Sequence, residues 1–191
     1  MDITTFLRNR GFTEFERQSQ QVTDLIKLTS KPNIRVMEIG FNAGYLAEVF
    51  LKSNNTLRLT SFDSGVRDYV THAKEFIDLY YPTRHQLVLG DIKDTVPQFS
   101  RDNPNVKFDF IFIYRDNYVT ARQDVANCRA FAHSETIVAL DDTLYKAQVV
   151  LDYNRGPRVT EPAKQGTVSK FAIQRKEYSG GRGMSWGKYM V

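Results

Sequence analysis

Five short apolar runs, at 34–39, 57–62, 86–89, 108–114 and 136–140, constrain this chain more than any other feature. Helical spacing fills the gaps at 45–52, 69–79 and 119–131, with a shorter helical piece predicted at 95–99. A strand that recurs after each helix requires crossover connections. Such connections build a parallel sheet with helices on both faces. The run at 108–114 is almost continuously apolar, as an interior strand covered on both sides must be.

The two ends read differently. Thr13 and Glu16 have the spacing of a capping box. Phe15, Val22, Leu25 and Ile26 then recur with helical spacing, so one helix is predicted from about residue 13 to the break at Pro32-Asn33. Near the other end, 168–174 and 184–190 alternate like antiparallel strands, with Tyr178-Ser179-Gly180-Gly181 as the turn between them. At 191 residues the chain is expected to form one domain: a helical segment at 1–33, a core at 34–143 and closing strands at 144–191.

Composition excludes some classes. No apolar run approaches the ~20 residues a membrane helix needs. The first residues lack the basic-then-apolar pattern of a secretory signal. The single cysteine, Cys128, lies in a helical stretch and reads as a small core residue. A cytoplasmic setting is therefore expected. The charge is uneven: residues 155–191 hold eight Lys/Arg against Glu161 and Glu177, a surplus of six, which leaves 1–154 at −2. That tail reads either as a solvated face or as a rim for an anionic partner such as a sugar phosphate, a nucleotide or RNA.

The ends of the apolar runs carry the chemistry. Ligands of open parallel sheets sit beyond the carboxyl ends of the strands. Those ends carry Glu38, Asp63, Asp91, Asp116 and the pair Asp141-Asp142. Gly40 and Gly44 bracket the first loop: Gly40 for a sharp turn off the strand, Gly44 for close passage of the chain past a ligand. Asp63 lies about 20 residues beyond that loop, where a carboxylate grips the ribose hydroxyls of a nucleotide-like cofactor. The Gly-x-x-x-Gly spacing is neither the Gly-x-Gly-x-x-Gly of a dinucleotide site nor a P-loop. The alternative is a tight strand–helix turn with no ligand.

The stretches Glu38-Ile39-Gly40-Phe41-Asn42-Ala43-Gly44, Ser61-Phe62-Asp63, Gly90-Asp91, 108–113 and Leu140-Asp141-Asp142-Thr143 together resemble class I S-adenosylmethionine-dependent methyltransferases. More narrowly, they resemble the small O-methyltransferases that include macrocin-type sugar methyltransferases. The resemblance covers 34–143, with a further likeness at 181–189. It implies an α/β, Rossmann-like, doubly wound and mostly parallel seven-stranded sheet with an antiparallel C-terminal hairpin. It also implies roles. Glu38, Gly40, Phe41, Asn42 and Gly44 would hold the methionine end of S-adenosyl-L-methionine. Asp63 and Ser64 would hold its ribose, and Asp91 and Ile92 would lie at the adenine. Tyr114 would line the place of transfer. Asp116, Asp141 and Asp142 are the candidate bases.

One position departs from that pattern. Metal-dependent members carry an acidic residue where this chain has Tyr114. Asp141 and Asp142, with Asn117, could still hold Mg2+ or another divalent cation, or Asp141-Asp142 could simply cap a strand. The expected reaction is O-methylation of a sugar or glycoconjugate hydroxyl. The alternatives are a phenolic small molecule, RNA bound through the basic tail, or a scaffold that binds cofactor without chemistry. A homodimer, or membership of a larger multidomain protein, is compatible with so compact a chain.

Overall fold

The computed structural model of the chain describes residues 1–13, 15, 20–114, 118–142, 174–178 and 183–189. Five parallel strands, β1 (Arg35–Ile39), β2 (Arg58–Asp63), β3 (His85–Leu89), β4 (Phe110–Ile113) and β5 (Ile137–Asp142), share one seven-stranded sheet with β6 (Gln174–Glu177) and β7 (Gly183–Lys188). The order is β3-β2-β1-β4-β5-β7-β6, and β7 runs antiparallel to both β5 and β6. The expected fold class is therefore the one the chain adopts. Strand order reverses between β1 and β4, the switch point at which a doubly wound sheet opens its ligand crevice.

Side-chain alternation sorts the strands onto two cores. Val36, Phe110, Phe112 and Ala139 face one side with Leu7, Phe50 and Phe76. These last three come from α1 (Ile3–Arg8), α3 (Tyr45–Ser53) and α4 (Tyr69–Tyr80). Met37, Ile39, Ile111, Ile113, Val138 and Leu140 face the other side with Val96, Val125 and Phe131. Here α5 (Ile92–Asp102), α6 (Tyr118–Cys128) and a 3-10 turn (Arg129–Phe131) supply the cover. Phe110 to Ile113 are fully buried, at roughly 1.5–3 kcal/mol for each such side chain. Cys128 is buried among them.

Several expectations about the elements are corrected. The predicted helical piece at 95–99 is a full eleven-residue helix, α5. Pro97 removes one donor from its interior, but buried Ile92 and Val96 hold the helix to the sheet, and Asp91 caps it by accepting from Lys93 N. The helix predicted from Thr13 begins instead at α2 (Val22–Leu28). Glu16 lies outside the described residues, and Phe15 packs edge-on against Tyr69. The first helix, α1, was not predicted. Asp2 caps it through a 2.7 Å bond from Thr5 N, and its short buried face is Ile3, Phe6 and Leu7.

Of the closing strands, β6 is described at Gln174–Glu177, while 168–173 of the strand expected at 168–174 lie outside the described residues, as do 179–182 of the expected turn and its flank. An edge strand accepts a polar sequence such as Gln-Arg-Lys-Glu, which carries no apolar alternation to betray it. The β6 edge is tied back to the first part of the chain: Lys176 Nζ and the Tyr178 hydroxyl both donate to Asp24 Oδ2, at 2.6 and 2.9 Å.

Candidate active site

The site builds from the end of β1. Gly40, at φ +95, turns the backbone off the strand while its N–H donates to Phe62 O. A Cβ at Gly40 would stand 3.0 Å from Tyr114 O and 3.4 Å from the Tyr114 side chain, so the loop starts flat against the end of β4. Gly44, at φ +70, opens α3. A Cβ at Gly44 would meet Ile3 at 2.7 Å and Phe41 at 3.0 Å, so its missing side chain makes room for core packing. Asn42 also has a left-handed backbone, at φ +51.

Asp63, at the tip of β2, is only 9% exposed. Its Oδ2 accepts from Asn42 N and its Oδ1 from Gly65 N, both at 2.9 Å. The carboxylate thus ties the glycine loop to the β2 tip. Glu38 is 1% exposed and lies opposite Ser61 in the β1–β2 register. Ser61 Oγ donates to Glu38 Oε2 at 2.6 Å. Burial pushes the Glu38 carboxyl up to about 8, the Ser61 bond pulls it down, and the nearby Asp63 charge raises it again.

Glu38, Gly40, Asn42, Tyr45, Leu46 and Tyr114 line one concavity at the tips of β1 and β4, together with Phe41 and Ala43. Two buried polar atoms on this wall, Asn42 Oδ1 and the Tyr114 hydroxyl, have no hydrogen-bond partner among the described residues. Orphaned polar atoms at the mouth of an α/β crevice are what a polar ligand satisfies.

The other expected site residues divide. Asp91 caps α5 and pairs with Lys93 Nζ at 2.9 Å, and Ile92 is buried beneath it. Ser64 is exposed beside Asp63. Asp116, Asn117 and the side chain of Asp142 lie outside the described residues. Asp141, at the carboxyl end of β5, accepts a 2.8 Å hydrogen bond at Oδ1 from the side-chain amide of Gln21, which is 1% exposed. This buried partner was missed in the sequence, where a glutamine before a helix carries no signal. Among the described residues no three His, Cys, Asp or Glu side chains gather to hold a metal.

The remaining titratable groups lie elsewhere. His133 stands 3.3 Å from Asp109, at the amino edge of the sheet. Two cations of the basic tail, Lys176 and Lys188, pair with Asp24 and Glu135. Among the described residues no helix is long and apolar enough to cross a membrane.

A family model described as O-methyltransferase matches residues 12–169. No curated protein sequence matches the chain. Among solved structures, a proposed caffeoyl-CoA O-methyltransferase from Staphylococcus aureus is similar with a TM-score of 0.71 at 13% identity, over 98% of this chain and 92% of that one. An O-methyltransferase from Bacillus cereus, solved in complex with SAH, gives a TM-score of 0.69 at 15% identity, over 96% and 87%. A TDP-rhamnose 3′-O-methyltransferase of calicheamicin biosynthesis gives 0.61 at 18% identity, over 88% and 77%.

Proposed function

The chain belongs to the O-methyltransferase family, and from that premise we propose that it transfers the methyl group of S-adenosylmethionine to a hydroxyl oxygen of a sugar or glycoconjugate. The observation that carries the cofactor reading is the wall at the tips of β1 and β4, where Glu38, the glycine loop and two orphaned polar atoms converge. When bound, the cofactor supplies an electrophilic methyl group on a sulfonium.

The chain's own residues would do the rest. Glu38 would meet the ammonium of the methionine end, a charge-assisted contact in a dry site. Asp63, already fixed by two backbone donors, would accept from the ribose hydroxyls. Asp91 and Ile92 would flank the base. Tyr114, packed on Gly40, would shape the wall beside the transferred carbon. Asp116, Asp141 and Asp142 would take the acceptor's proton, and Gln21 would orient Asp141 for it. No step here is assigned to a divalent cation at Asp141, Asp142 and Asn117.

The sugar acceptor is supported by the sequence resemblance and by the likeness to a TDP-rhamnose methyltransferase. A phenolic acceptor is the second reading, supported by the likeness to the caffeoyl-CoA enzyme. Labelled S-adenosylmethionine, offered with nucleotide sugars on one side and catechols on the other, separates them. Methylation of the sugars alone supports the first reading. Methylation of the catechols alone replaces it with the second. Cofactor binding without turnover on either class would overturn the enzymatic role in favour of a scaffold.

A further inference from the structure

A buried polar chain runs sideways from Glu38 across the sheet. Ser61 Oγ donates to Glu38 Oε2 at 2.6 Å, and His85 Nε2 stands 3.0 Å from the same Oγ. Three neighbouring strands supply the three residues, and all three side chains face the core beneath α4. Ser61 is 0% exposed. The His85 ring stacks on Phe41 of the glycine loop, with centroids 5.1 Å apart and planes 20° apart. The far nitrogen, His85 Nδ1, is buried with no hydrogen-bond partner among the described residues.

This chain has a direction. A serine hydroxyl carries one proton, so Ser61 can donate to Glu38 or to His85 but not to both. If Ser61 donates to His85, the imidazole proton must lie on Nδ1, a buried N–H with nothing to receive it. If His85 Nε2–H donates to Ser61, only an acceptor nitrogen is left bare, and the serine proton is committed to Glu38. The unpartnered Nδ1 therefore favours the second arrangement, and that arrangement supports Glu38 as a carboxylate.

We propose that Ser61 and His85 are positioning residues that fix the Glu38 carboxylate towards the amino-acid end of the cofactor. The inference rests on the cofactor reading above and adds the pair that makes Glu38 fit for an ammonium. The charged and titratable neighbours agree with it. Burial, helped by Lys74 on α4, holds His85 neutral, which keeps it a single-proton donor. Burial and the Asp63 charge oppose ionisation of Glu38, and the Ser61 bond is the counterweight that favours it.

Two nucleosides test this by calorimetry. S-adenosylhomocysteine carries the amino-acid end, and 5′-methylthioadenosine lacks it. The variants are Ser61→Ala and His85→Leu, with Ser61→Thr and His85→Gln as versions that keep a hydroxyl or a side-chain donor. Ser61→Ala should weaken S-adenosylhomocysteine by about tenfold, the loss of one hydrogen bond to a charged group, and His85→Leu, which loses a neutral bond to Ser61, by about fivefold, both leaving methylthioadenosine within about twofold. His85→Gln and Ser61→Thr should recover most of the difference. The acid limb of S-adenosylhomocysteine affinity should move to higher pH in Ser61→Ala.

Equal losses for both nucleosides, in the truncated and the conservative variants alike, would overturn the positioning role and reduce the pair to packing. Wild-type protein that binds neither nucleoside would instead overturn the cofactor reading itself. Should Ser61→Ala fail to fold, His85→Gln against His85→Leu decides on the same two ligands.

Discussion

Gln21 and Asp141 stand 120 residues apart in sequence and meet through one hydrogen bond of 2.8 Å, from Nε2 to Oδ1. The bond joins the entrance of α2 to the carboxyl end of β5. A buried amide that loses its carboxylate partner, or the reverse, forfeits roughly 1–3 kcal/mol. Gln21→Ala should therefore lower the free energy of unfolding by about that amount in urea titrations. The proposed mechanism routes no step through a divalent cation, so EDTA should leave methyl transfer by the wild type unchanged. A Mg2+-dependent rate would contradict this.

In the proposed placement Asp63 would serve both nucleosides, since the ribose is common to them. Asp63→Asn replaces one acceptor oxygen with an NH2 that faces a backbone donor, Asn42 N or Gly65 N. S-adenosylhomocysteine and methylthioadenosine should weaken together, by about 1–3 kcal/mol each in calorimetry. A loss confined to one ligand would remove Asp63 from the ribose.

Gly44 is a test of packing. At φ +70 an alanine is strained, and its Cβ would press on Ile3 at 2.7 Å. Gly44→Ala should be destabilising by roughly 1–3 kcal/mol and should loosen α1, which thermal melting and amide exchange of residues 3–8 would register.

Tyr114→Phe removes a buried hydroxyl that has no partner among the described residues. Deleting an unsatisfied polar group is close to neutral or stabilising, so the melting temperature should hold or rise while turnover falls. A falling melting temperature with unchanged turnover would reverse the assignment.

Two buried groups should shape stability against pH in opposite senses. Burial pushes His85 down from 6.5 to about 3, helped by Lys74. Between those values the unfolded chain binds the extra proton, so stability falls as pH drops below about 6.5. Glu38 is pushed up from 4.5 to about 8, so the folded chain binds the extra proton and stability falls as pH rises from 4.5 towards 8. Melting temperatures of the unliganded protein should decline on the alkaline side in wild type and flatten there in Glu38→Gln. An unchanged slope in the variant would show that Glu38 is not the group responsible.

The sheet was legible because periodicity and strand-end acids are local signals: residues 34–39 and 136–140 differ from β1 and β5 by only a residue or two. What was not legible depended on partners far away in sequence. The close approach of Ile3 to Gly44, from 41 positions earlier, leaves no local signal. Nothing in the sequence neighbourhood of His85 reveals its partners Ser61 and Phe41. The helix α1 is too short for its apolar stripe to stand out, and β6 carries no stripe at all.

The hairpin has one more implication. Because β7 sits between β5 and β6, it satisfies the backbone of both neighbours at once. A single proteolytic nick that released Gly183–Lys188 would strip β6 of its partner and bare the flank of β5, next to Asp141. Damage at this margin would therefore be felt as an unzipped border beside Asp141, while the crevice between β1 and β4 stayed intact.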